Sequence, residues 1–137
     1  MLKNVYLGDF MDEKTFKEMF PNFRPIEFKC PCQNCDGGKM SLFFMSTLQG
    51  LRYQIGFPLH INSGFRCPEY NASLENSSPK SQHMIGLAAD ISTITLTPSQ
   101  KHFLVEKAFQ RFTGVGIYKN FIHLDLRDPG VKSTWTG

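Results

Sequence analysis

A change of hydrophobic period along the chain limits its fold more than any other feature. Between Ser41 and Ile55, apolar residues Phe44, Leu48, Leu51 and Ile55 fall at i, i+4, i+7 and i+11. That spacing puts one apolar stripe on a helix. From Phe121 to Leu126 the period drops to two. Ile122, Leu124 and Leu126 point one way, and Phe121, His123 and Asp125 point the other. A strand of this kind packs one face on a core and offers a histidine and a carboxylate to a cleft.

The intervening segments fill in the architecture. Asp12 to Phe20 carries Phe16, Met19 and Phe20 at helical spacing, and Pro21 stops it. Residues 23–40 are rich in Cys, Pro and Gly, which predicts an irregular N-terminal segment. Gly56 ends the second helix, and Pro58 to Asn62 reads as a strand with Leu59 and Ile61 on one face. Ser63 to Gln82 reads as a long loop, a length that in a compact domain marks function or disorder. Ala88 to Ile94 predicts a short strand. Thr97 and Pro98 open another helix as N-cap and first residue, with Leu104, Val105, Ala108, Phe109 and Phe112 inward. Gly114 to Tyr118 and Phe121 to Leu126 form a hairpin through Lys119 and Asn120. The tail from Asp128 to Gly137 is polar apart from Val131 and Trp135. This order implies one α+β domain over residues 1–137, with a small antiparallel sheet and helices packed on one side.

A chain of 137 residues suits one domain, and its thirteen phenylalanines supply ample core. The net charge of +3 is scattered, which argues against nucleic acid as a partner. No apolar stretch approaches the roughly 20 residues of a membrane span, so no membrane insertion is expected. The opening MLKNVYLGDF lacks the apolar block of a secretory signal, so the expectation is synthesis in the cytoplasm. A monomer is expected.

Three residues carry the chemistry. His83 stands seven before Asp90 in SQHMIGLAAD, and His123 sits on the strand FIHLDL. Two imidazoles and a carboxylate suit a hydrolytic zinc, with the fourth tetrahedral position left for water. Taken singly, such a histidine is more often a core or surface residue and such an aspartate a cap or turn residue, and no HExxH occurs.

The segments SGFRCPEYN (63–71), SQHMIGLAAD (81–90) and GVGIYKNFIHLDLR (114–127) together resemble the D-alanyl-D-alanine carboxypeptidase-like family of zinc peptidases, of the hedgehog/DD-peptidase type. The opening NFRPIEFKCPC and Trp135 resemble its short branch, found in phage and bacterial genomes. The resemblance implies that His83, Asp90 and His123 ligate zinc. It places the family's motif arginine at Arg66, to grip a substrate carboxylate or stabilise an oxyanion; a salt bridge is the plainer role. Ser81 and Gln82 are read as substrate-binding residues or as turn caps. Several relatives carry an acidic residue where this chain has Asn120, so Asp125 becomes the candidate general base, or else the carboxylate that orients a ligand imidazole. Tyr118 is a hydrogen-bond donor to substrate or a packing residue.

The implied activity is hydrolysis of a peptidoglycan stem peptide, as a D-Ala-D-Ala carboxypeptidase or endopeptidase. It would be of endolysin type, released through a phage pore, or of wall-remodelling type. The alternative is a catalytically silent wall-binding or phage-structural module on the same scaffold. Cys30, Cys32, Cys35 and Cys67 remain open: a second, structural zinc site, free thiols, or disulfides. A redox role is disfavoured, because no Cys-x-x-Cys lies in a βαβ setting. His60 and His102 are read as ordinary histidines.

Overall fold

The computed structural model describes residues 12–128 and 130–137. The opening segment MLKNVYLGDF, with its expected lack of a secretory signal, therefore lies outside the described residues. Helix α1, Glu13–Met19, starts at Asp12, whose side chain accepts from the Thr15 N–H. It turns Phe16 and Phe20 into the core and leaves Met19 exposed. Helix α2, Leu42–Ile55, begins at the Ser41 cap and ends at Gly56. Its stripe of Phe44, Leu48, Leu51 and Ile55 is buried, as the spacing implies, and Met45 joins it. Helix α4, Pro98–Arg111, has Thr97 and Gln100 closing a reciprocal capping box. Leu104, Ala108 and Phe112 are buried, while Val105 and Phe109 pack at the margin.

Strands β1 (His60–Ser63), β2 (Ala88–Ser92), β3 (Gly114–Ile117), β4 (Phe121–Asp125) and β5 (Ser133–Thr136) form one sheet in the order β1-β2-β4-β3-β5. Ile61, Ala89, Ile91, Val115, Ile122 and Leu124 join the core with α2 and α4 residues, so the helices cover one face. Phe44 against Phe112, at 5.6 Å between ring centroids, ties the two helices together there.

The fold is α+β as expected, but the sheet is mixed and not purely antiparallel. β3 pairs with β4 antiparallel and with β5 parallel. The polar tail thus supplies an edge strand. It was invisible to hydrophobic pattern because its residues are exposed or half-buried and its pairing is made by backbone. The long loop also holds a short helix, α3 (Pro68–Ser73), which the composition hid. Cys67 caps it by accepting from the Tyr70 N–H, and Pro68 occupies its first position.

Leu48 is fully buried at the centre of this core. Leu48→Ala should cost about 3 kcal/mol in urea-unfolding stability through lost burial and a residual cavity. An exposed control, Tyr53→Ala, should change stability by less than about 0.5 kcal/mol.

Candidate metal centre

Three side chains converge on the face of the sheet opposite the helices. In the β2–β4 register Asp90 pairs with His123, so the two point to the same side. His83 arrives from a 3-10 turn, Gln82–Ile85, which leads into β2. Asp90 Oδ1 lies 2.9 Å from His123 Nδ1 and 3.3 Å from His83 Nε2. The three donor atoms are all within 4.8 Å of one another.

The outer nitrogens decide what the inner ones can be. His83 Nδ1 is 2.6 Å from the Gly64 carbonyl oxygen, which can only accept, so this nitrogen carries the proton. His123 Nε2 is 2.7 Å from Asp125 Oδ2 and donates to it. In neutral rings both inner nitrogens therefore aim lone pairs at a carboxylate oxygen. Three such electron pairs repel unless a cation lies among them or a ring takes up a proton. A tetrahedral zinc with bonds of roughly 2.0–2.1 Å sets its ligand atoms about 3.3 Å apart, close to the spacings here. Two imidazole nitrogens and one carboxylate oxygen thus fit zinc by chemistry and by separation.

Titration in the metal-free protein reflects the same crowding. Burial would raise the Asp90 pKa, but bonds from His123 and His83 outweigh it and hold the carboxyl well below its usual range. Burial would lower the pKa of His123, yet Asp125 and Asp90 raise it.

The remaining residues singled out from sequence surround this centre. Arg66 Nη2–H donates to Asp90 Oδ2 at 2.9 Å, and Nε–H donates to Ser63 Oγ at 3.1 Å. Its Nη1 reaches Asn71 Oδ1 at 3.5 Å. Asp125 is fully buried. Besides His123 it holds Arg127, whose Nε–H donates to Oδ1 at 2.9 Å and Nη2–H to Oδ2 at 2.7 Å. The Arg127 backbone N–H adds a third donor at 3.1 Å. Ser81 Oγ accepts from the His83 N–H at 3.2 Å and caps the turn. Asn120 is exposed and does not line the cavity.

A cavity of about 830 Å³ opens over the three donors, with Arg66, Ser81, Gln82 and Tyr118 in its wall. Sequence reasoning gave no site role to several further wall residues, among them Glu75, Lys80, Arg127 and Trp135. Trp135 Nε1–H donates to Tyr118 Oη at 2.8 Å, and its ring lies 4.9 Å from the Arg127 guanidinium. Glu75 and Lys80 sit in a polar stretch with no pattern to mark them. Two glycines make the wall possible. A Cβ at Gly116 would meet the Trp135 indole at 2.5 Å, and one at Gly114 would collide with the Asp125 carboxylate.

A family model for peptidase M15 matches residues 21–125. The chain belongs to peptidase family M15. No curated protein matches it closely enough to add to that finding. M15 peptidases are zinc metallopeptidases, in keeping with the donor set described above. The M15 match spans all three donors and the four cysteines, and β5 with Trp135 lies beyond it. No helix among the described residues is long and apolar enough to cross a membrane.

Burial raises the pKa of Asp125, but bonds from Arg127 and His123 prevail and bring it from 3.8 to about 2. A depressed carboxyl stabilises the fold above its unfolded value and loses that contribution as pH falls through the folded one. In zinc-free protein, the stability advantage of wild type over Asp125→Asn should therefore hold above about pH 4 and shrink towards pH 2. Urea midpoints measured across that window check the sign.

Proposed function

We propose that this M15 peptidase hydrolyses peptide bonds in bacterial peptidoglycan stem peptides, next to a D-amino acid, with a catalytic zinc held by His83, Asp90 and His123. The observation that carries the reading is the meeting of two inward imidazole lone pairs and one carboxylate oxygen at the foot of a large open cavity. Bound there, zinc would lower the pKa of a water to about 7 and polarise the scissile carbonyl.

The chain's own groups prepare that chemistry. The Gly64 carbonyl and Asp125 hold the outer protons of the two imidazoles, which fixes the tautomers needed for ligation. Asp125 spends both oxygens on His123 and Arg127 and is pushed towards low pKa, so it serves better as an orienter of His123 than as a general base. Arg66 anchors Asp90 through Oδ2 and leaves two of its five N–H donors for a substrate carboxylate or a developing oxyanion. Gln82 and Tyr118 line the cavity wall and would bind the peptide backbone, with Trp135 backing Tyr118. Ser81 contributes chiefly by capping the turn that carries His83.

Endolysin-type lysis and wall remodelling share this chemistry, and both act at the cell wall. A second reading is a wall-binding module without turnover. The saturation of Asp125 and the amide at Asn120 favour it, since neither supplies a free base.

Purified peptidoglycan separates the two. Wild-type protein should release new amino or carboxyl termini, lose that activity to a chelator and regain it with zinc. His83→Ala should be reduced to background; undiminished activity in that variant excludes the mechanism. Asp125→Asn should weaken zinc binding by about 10–100-fold, read by competition with a chromophoric chelator. Arg66→Lys should raise KM for wall fragments more than it lowers zinc affinity, because a lysine cannot bind a carboxylate bidentately.

A further inference from the structure

We propose that Cys30, Cys32, Cys35 and Cys67 bind a second zinc ion as a structural tetrathiolate, tying the irregular N-terminal segment to the loop that carries Arg66. All four are free thiols, and their sulfurs lie within 4.8 Å of one another. Cys32 Sγ is 3.2 Å from Cys35 Sγ and 3.6 Å from Cys67 Sγ. Zinc–sulfur bonds of roughly 2.3 Å put tetrahedral sulfurs about 3.8 Å apart. Disulfides would instead pair the sulfurs two by two at about 2.05 Å, whereas Cys32 here approaches two partners at once.

The backbone around the cluster is arranged for thiolates. The Gly37 N–H points at Cys35 Sγ at 3.3 Å, the Tyr70 N–H at Cys67 Sγ at 3.4 Å and the Cys67 N–H at Cys30 Sγ at 3.4 Å. A neutral thiol is a weak acceptor, but a metal-bound thiolate is stabilised by such amides. Between Lys29 and Met40 the chain has neither helix nor strand. Holding that stretch in one conformation costs backbone entropy with no ladder of hydrogen bonds to offset it. A metal shared by three of its cysteines and Cys67 supplies the cross-link, and the binding energy becomes folding energy.

The position of Cys67 gives the cluster reach. It caps α3 through its sulfur and directly follows Arg66, which is bonded to Asp90. The tetrathiolate therefore fixes one end of the loop whose other residues address the cleft. That link to Arg66 rests on the peptidase reading, but the metal site itself does not.

The test is metal content and thiol reactivity of the full chain purified with zinc. Wild type should hold about two zinc ions, with all four thiols unreactive until a chelator is added. His83→Ala should keep about one zinc with its thiols still protected, and Cys35→Ser should keep about one zinc at the histidine centre. After exchange with cobalt, strong thiolate-to-cobalt absorption should persist in His83→Ala and vanish in Cys35→Ser. Four freely reactive thiols in zinc-loaded wild type, or disulfides found by intact mass, would overturn the proposal even if Cys35→Ser fails to fold. A wild type with protected thiols but no peptidase activity would leave this site standing and remove only the catalytic reading.

Discussion

The antiparallel pairing of β2 with β4 is the constraint on which the site depends. It sets Asp90 opposite His123 and, two residues on, Ala88 opposite Asp125. Because side chains alternate along a strand, a slip of one residue would turn His123 and Asp125 into the helices and bring Leu124 out. The core prevents that slip. Ala89, Ile91, Ile122 and Leu124 are fully buried on the other face, so the apolar side of the sheet locks the polar side in register.

The polar side is organised as two chains of contacts that converge on Asp90. One runs from the Gly64 carbonyl through His83; the other runs from Arg127 through Asp125 and His123. Arg66 closes the pattern from the far side of the Asp90 carboxylate. Each imidazole is held at its outer nitrogen by a group that can only accept, which leaves the inner nitrogens free to bind a cation. Such an arrangement has little stability value by itself, since buried charges cost solvation. Its value is to hold three donors ready in one geometry.

Much of this was legible in the sequence. The α2 stripe, the alternation in FIHLDL and the Thr97–Pro98 start follow from local periodicity and capping, and the structure has each where the pattern predicts it. The grouping of His83, Asp90 and His123 came from order and spacing together with the family resemblance, since none is diagnostic alone. The features that escaped depend on tertiary contact. β5 is a backbone-paired edge strand with no apolar face of its own. α3 is too short to show a stripe, and it is announced only by a cysteine cap and a proline. Met19 shares the helical spacing of Phe16 and Phe20, yet a helix of two turns buries only one narrow side. The partners of Asp125 could not be read either. Its distance along the strand from His123 fits a base and an orienter equally, and only the folded arrangement brings Arg127 onto both oxygens.

The central claim concerns which atoms meet the catalytic ion. A crystal of zinc-loaded protein, measured on both sides of the zinc absorption edge, addresses it most directly. An anomalous peak bonded to His83 Nε2, Asp90 Oδ1 and His123 Nδ1, with its remaining position open to the cavity, is the expected result. A peak-free site, ligation through the outer ring nitrogens, or a fourth protein ligand filling the open position would contradict it.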